Sequence, residues 1–130
     1  MIVENLGKRP WILLAEDNPT NVAVVRSILD AVGLSAACVH DGRQAVVMAS
    51  TIRFDLILMD VQMPVMDGLS AIRAIRCVER QSRCPASRIF TITTNSFAED
   101  VAASLEAGAD GHLTKPIRLA ELLGVLASLL

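Results

Sequence analysis

Five polar residues stand where short apolar runs end. Glu16 and Asp17 follow the run at residues 11–15, Asp60 follows 54–59, Thr93 follows 88–92, and Lys115 follows Leu113 and Thr114. Brought together, three carboxylates, a hydroxyl and an ammonium could hold a cation and handle a phosphoryl group. Two carboxylates about 5 Å apart repel by roughly 3 kcal/mol at an effective dielectric near 20. A raised pKa on one of them, or a bound cation, relieves that repulsion. An oxygen-only site with carboxylates suits Mg²⁺, which keeps several waters and leaves room for phosphate oxygens. A carboxylate beside such an ion can attack phosphorus to form an aspartyl phosphate. Lys115 and Thr93 would then share the charge that develops on the transferred group. Asp60 is the best nucleophile because it stands alone at the end of its run. Asp17 would be a direct metal ligand, with Glu16 helping through water. Any one of these acids could be a helix cap or a solvated loop end; the combination argues for a site.

Whether they meet depends on the elements that carry them. Asn18 can cap a helix with Pro19 at its first position, where the missing N–H costs nothing. Val22, Val25, Leu29 and Val32 then share one face, and Gly33 is the stop. Residues 34–39 read as a second strand closed by the Asp41-Gly42 turn, and a helix over 43–51 has Ala45, Val46 and Ala49 as its inner face. Residues 54–59 form the clearest buried strand. A loop over 61–68 leads to a helix over about 69–79, and 88–92 is the fourth strand. Ser96 and Glu99 match a capping box. Phe97, Val101 and Leu105 share a face of the helix that follows, which Gly108 ends. Leu113 and Thr114 lie in a short fifth strand, and the last helix carries Leu119, Leu122, Leu123, Leu126 and Leu129 at helical spacing. This alternation predicts a parallel sheet covered on both faces by helices. With right-handed crossovers, the α/β fold expected is a flavodoxin-like doubly wound (βα)5 with strand order 2-1-3-4-5. That order makes strands one and three neighbours, so their three carboxylates converge.

Composition agrees with one domain that buries a real core: 130 residues, 52% hydrophobic and 20% charged. A net charge of −2 gives no electrostatic case for nucleic acid or an anionic membrane. Polar residues interrupt every apolar stretch before the roughly 20 residues needed to span a bilayer. Residues 1–10 lack the apolar core of a secretory signal. Cys38, Cys77 and Cys84 have no metal-ligand spacing and read as reduced thiols, so the expected location is cytoplasmic. His40 and His112 are isolated and are given no metal role. Arg73, Arg76 and Arg80 form a stripe read as a solvated helix face, with docking of an acidic partner as the functional alternative. Tyr is absent, so aromatic interleaving for nucleic acid is missing.

The segments ILLAEDN from Ile12 and LMDVQMPVMDG from Leu58, with Thr93 and Lys115-Pro116, carry a resemblance. Over residues 10–130 the chain resembles the response-regulator receiver domains of two-component signalling, most of all those attached to hybrid sensor histidine kinases. Residues 1–9 would then be an N-terminal extension. The resemblance implies Asp60 as phosphoacceptor, Asp17 as Mg²⁺ ligand with Glu16 as second acid, and the Gln62 carbonyl as a further ligand. Thr93 and Lys115 would each meet a phosphoryl oxygen, and the Lys115–Pro116 peptide would be cis. The implied donor is a phosphohistidine on a histidine kinase or histidine phosphotransfer domain, and slow self-catalysed hydrolysis resets the signal. Such a domain modifies itself and is not by itself an enzyme. The alternative context is a stand-alone single-domain response regulator. A flavodoxin-like cofactor binder would want a phosphate loop where Glu16-Asp17-Asn18 stands. An Asp-nucleophile phosphatase of the dehalogenase type would want Asp where Gln62 stands, and a docking-only receiver would not need the full residue set.

Three departures from the family pattern stand out. His112 replaces the usual Phe or Tyr of the switch position, Thr94 replaces a small residue after Thr93, and the last helix is Leu-rich. The imidazole could make the output surface respond to pH. Thr94 would narrow access to the phosphoryl group, and the leucines suggest a homodimer or a neighbouring domain as partner.

Overall fold

The computed structural model describes residues 10–94 and 97–129. Five parallel strands form one sheet: β1 (Ile12–Ala15), β2 (Ala37–Val39), β3 (Leu56–Asp60), β4 (Arg88–Thr93) and β5 (Gly111–Thr114), in the order β2-β1-β3-β4-β5. Between and after them run α1 (Pro19–Ala31), α2 (Gly42–Thr51), α3 (Gly68–Ser82), α4 (Ala98–Ala107) and α5 (Leu119–Ala127). All five residues of β3 are buried, which suits a central strand covered on both faces.

Strand alternation sends successive side chains to opposite layers. Ile12, Leu14, Leu56, Leu58 and Ile92 pack with Val22, Val25 and Leu29 of α1 and with Leu122, Val125 and Leu126 of α5. Leu13, Ala15, Ile57, Met59 and Ile89 face the other way, against Ala45 of α2, Ala71, Ile72 and Ile75 of α3, and Ala107 of α4. Asn18 caps α1 as its sequence predicts, accepting from the N–H groups of Thr20 at 2.9 Å and Asn21 at 3.3 Å. Asp41 and Asp67 cap α2 and α3 in the same way.

Several boundaries differ from the sequence expectation. β2 begins at Ala37 rather than residue 34, because it is an edge strand that pairs only with β1. α3 runs on to Ser82 and stops where Arg83 turns left-handed, at φ 55°. α4 starts after Phe97, which makes no side-chain cap bond, and Ser96 of the expected capping box lies outside the described residues.

Two expected faces also read differently. Phe97, just before α4, is 68% exposed and Leu105 51%, so these two large apolar residues look outward while Val101 between them is half-buried. The buried residues of α4 are the small Ser104 and Ala107, which allow close approach to the sheet. There the Thr91 hydroxyl donates to Ser104 Oγ at 3.1 Å. Of the Leu-rich last helix, Leu122 and Leu126 are fully buried and Leu123 and Leu129 pack against the core, leaving Leu119 half outside. Most of its apolar excess is therefore used within the domain.

Candidate functional site

The carboxyl ends of β1, β3, β4 and β5 deliver the expected residues to one edge of the sheet. Asp60 is the last residue of β3 and is 3% exposed; Glu16, just past β1, is 1% exposed. Asp17 is exposed beside them, and the three carboxylates present oxygens within 4.8 Å of one another. Lys115 reaches across from the end of β5, its Nζ 3.0 Å from Glu16 Oε1 and 3.3 Å from Asp60 Oδ1. Its backbone N–H donates to the Thr93 carbonyl at 2.8 Å, which ties the ends of β4 and β5 together. Thr93 is half-buried at the end of β4. The Lys115–Pro116 peptide is cis, as the resemblance implies. The Gln62 N–H donates to Asp60 Oδ1 at 3.2 Å. Asp17, Asp60, Gln62, Thr94 and Lys115 all line one open cleft, together with Asn18, Asn21 and Pro116.

Burial pushes the Asp60 carboxyl up to about 7, and its hydrogen bond and charge contact with Glu16 push the same way against the pull of Lys115. Glu16 goes the other way. Burial would raise it, but the proton on Asp60 and the ammonium of Lys115 together hold it below the ordinary glutamate value. Burial would depress Lys115, and the two acids more than offset that, so its pKa is raised. At neutral pH the single, partly buried ammonium of Lys115 thus balances Glu16 while Asp60 keeps much of its proton. Once Asp60 gives up that proton, two buried carboxylates face one ammonium, and a divalent cation would offset the excess negative charge.

The donor set fits a hard divalent ion: carboxylates only, with Asp17 open to the cleft. Glu16 is less available than Asp17, since Oε2 accepts weakly from the Asn18 N–H at 3.4 Å and Oε1 sits against Lys115.

Backbone contacts with no room to spare hold the acceptor loop. A Cβ on Gly68 would lie 2.1 Å from the Asp60 carbonyl oxygen, and one on Gly42 would lie 2.2 Å from that of Met66. The Gly68 N–H donates to the Val61 carbonyl at 2.9 Å and the Gly42 N–H to the Met66 carbonyl at 3.0 Å. Between them Val65 takes φ 69°, with the Met66 N–H donating to the Pro64 carbonyl at 2.7 Å. This is a tight γ-turn that a β-branched residue adopts only under constraint.

Sequence reasoning misplaced one residue and passed over another. Arg76 is not part of a solvated stripe. Its guanidinium donates to the carbonyls of Gly108 (2.9 Å) and Ser87 (2.8 Å) and pairs with Glu79 (2.8 Å) and Asp110 (3.0 Å). It joins α3 to the β4 and β5 connections at the edge opposite Asp60, whereas Arg73 and Arg80 stay exposed. The passed-over residue is Asn21, which reads as an ordinary helix position yet forms part of the cleft wall. His112 is half-buried on β5, in register with Thr91.

Residues 12–127 match the family model for the response regulator receiver domain. The sensor protein GacS of Pseudomonas syringae pv. syringae is 38% identical over 111 residues, covering 85% of this chain and 12% of that protein. The peroxide stress-activated histidine kinase mak1 of Schizosaccharomyces pombe is 35% identical over 130 residues, 97% of this chain and 8% of that one. The chain thus spans only a small part of these relatives' length. Among solved structures, the receiver domain of the sensor histidine kinase PA1611 of Pseudomonas aeruginosa, with magnesium in its active-site cleft, superposes with a TM-score of 0.81 at 41% identity. That match covers 93% of this chain and 97% of that one. The Saccharomyces cerevisiae complex of the phosphotransfer protein Ypd1 with the Ssk1 receiver domain gives 0.84 at 29% identity, covering 92% and 88%. The chain belongs to the response regulator receiver domain family.

Proposed function

We propose that the domain, residues 10–130, takes a phosphoryl group onto Asp60 from a phosphohistidine of a histidine kinase or histidine phosphotransfer domain. The observation that carries this reading is one buried carboxylate, Asp60, bridged to Glu16 by Lys115 and open to a cleft. An Asp60 oxygen bonds to phosphorus as the phosphorus–nitrogen bond to the donor imidazole breaks, leaving the imidazole to take up a proton. Asp60 itself reacts as the carboxylate, so its own proton must first leave. Lys115 leans on the transferred group as charge develops, and Thr93 supports it from β4. Asp17, Asp60 and the Gln62 carbonyl would hold Mg²⁺ directly, and Glu16 would do so through water. The ion supplies charge neutralisation for the incoming phosphate oxygens.

Water then hydrolyses the acyl phosphate slowly, so the domain modifies and resets itself without turning over a separate substrate. The GacS and mak1 matches support a place as the receiver part of a hybrid sensor histidine kinase. Among the described residues no helix is long and apolar enough to cross a membrane. Borohydride reduction of the phosphorylated protein tests the assignment, because it converts an aspartyl phosphate to homoserine. Homoserine at position 60 is expected; homoserine elsewhere, or none, overturns the assignment.

A further inference from the structure

Beside the cleft, α1, β4 and the turn after β5 border a narrow, half-open slot of about 20 Å³, where Glu16, Asn21 and Lys115 meet the apolar Val25, Ile92 and Ile117. That is room for one water molecule, since a cavity needs roughly 10–15 Å³ for one. Two polar groups at the slot have bonding capacity to spare. Glu16 Oε1 is buried, and the contact it makes is with the Lys115 ammonium, whose Nζ lies 3.0 Å away as its ion-pair partner. The Asn21 side chain is half-buried and makes no hydrogen bond to any described residue, although its backbone is fixed by the Asn18 cap. A buried acceptor with spare capacity favours taking a donor. An amide offers both donors and an acceptor, and an ammonium offers three donors.

We infer that a single water occupies this slot, bridging Glu16 Oε1, Lys115 Nζ and the Asn21 amide, and that Asn21 is a positioning residue for Lys115. The water accepts from the ammonium and donates to Glu16 Oε1, while Asn21 closes the slot toward α1. Lys115 is thereby held between Glu16 and Asp60 instead of swinging into the open cleft. The functional weight of this assignment rests on the phosphoacceptor reading above; the water site itself does not.

The sequence makes the test direct, because it contains two lysines, Lys8 and Lys115. Protein labelled with ¹⁵N-lysine gives one ammonium resonance from each, and Lys115→Arg assigns them. The Lys115 resonance is expected to be protected from solvent exchange and to show cross-relaxation with a bound water. Asn21→Leu, which fills the slot, should abolish both signatures and slow acetyl-phosphate labelling on the order of fivefold at unchanged Mg²⁺ affinity. Asn21→Ser, which keeps a polar group and room for water, should restore most of the rate. Asn21→Ala replaces the Leu variant if the backbone spectrum shows that the latter does not fold. An unchanged Lys115 resonance in the Leu or Ala variant overturns the inference, and so does a changed resonance with an unchanged rate. Failure of the parent to label at all would instead contradict the phosphoacceptor reading, while the ammonium signatures would still decide the water site.

Discussion

At the scale of single residues, Asp60 carries opposing demands. It must be buried to be protected and charged to react. In the folded chain its carboxyl keeps its proton up to about pH 7, against 3.8 for an ordinary aspartate. Its raised pKa therefore favours the fold at low pH, and that contribution is lost as pH rises from about 4 through 7. Glu16, held below its ordinary value, works in the opposite sense and favours the fold above about pH 4.5. Asp60→Asn removes the first effect without changing shape. In metal-free buffer its stability relative to the parent should rise between pH 5 and 7.5 by about 2 kcal/mol, read by urea denaturation. A pH-independent difference would contradict the assigned protonation. Thr94 stands exposed on the cleft wall. Thr94→Ala is expected to speed loss of the phosphoryl group on the order of threefold, a barrier change below about 1 kcal/mol. Phosphate release followed over time checks it. The acids, Thr93 and Lys115 were legible because each ends an apolar run. Asn21 was not, since nothing in its spacing distinguishes a cleft wall from a solvated helix turn.

Secondary-structure elements set how firmly these residues are held. The loop from Asp60 to α3 is pinned where Gly68 meets the Asp60 carbonyl and Gly42 meets that of Met66. Backbone atoms cannot yield as the end of a flexible side chain can. Gly68→Ala should therefore cost more than about 2 kcal/mol and displace the acceptor, reducing labelling even in molecules that remain folded. Arg76 is a contrasting case. Removing it strands the partly buried Glu79 and uncaps two carbonyls. Arg76→Ala is expected to destabilise by about 2–4 kcal/mol while leaving the labelling rate of folded protein near that of the parent. Parallel denaturation and labelling measurements separate the two cases. The helix cap at Asn18 was readable from sequence because a cap is a local bond, whereas Asp41 read as a turn residue and Asp67 as part of a loop, and both also cap helices. The role of Arg76 was not readable, because its partners at Ser87, Gly108 and Asp110 come from connections distant in the chain.

For the whole molecule, the strand order could be read from the alternation of apolar runs and helical stretches, because right-handed crossovers leave few ways to wind such a chain. What alternation could not show was which side of α4 meets the sheet. Apolar periodicity marks a face without saying whether large or small residues must fit the space. Here Ser104 and Ala107 fit it and Phe97 and Leu105 remain outside. The winding divides labour between two edges: Asp60, Glu16 and Lys115 at one, the Arg76 network at the other. The central claim is that this chain carries one phosphoryl group, on Asp60, with a divalent ion. Intact mass after incubation with acetyl phosphate, with and without Mg²⁺, on the parent and Asp60→Asn, tests it most directly. A single phosphoryl adduct on the parent that needs Mg²⁺ and is absent from the variant is the expected result. An adduct that persists in Asp60→Asn, or none on the parent under any condition, would contradict it.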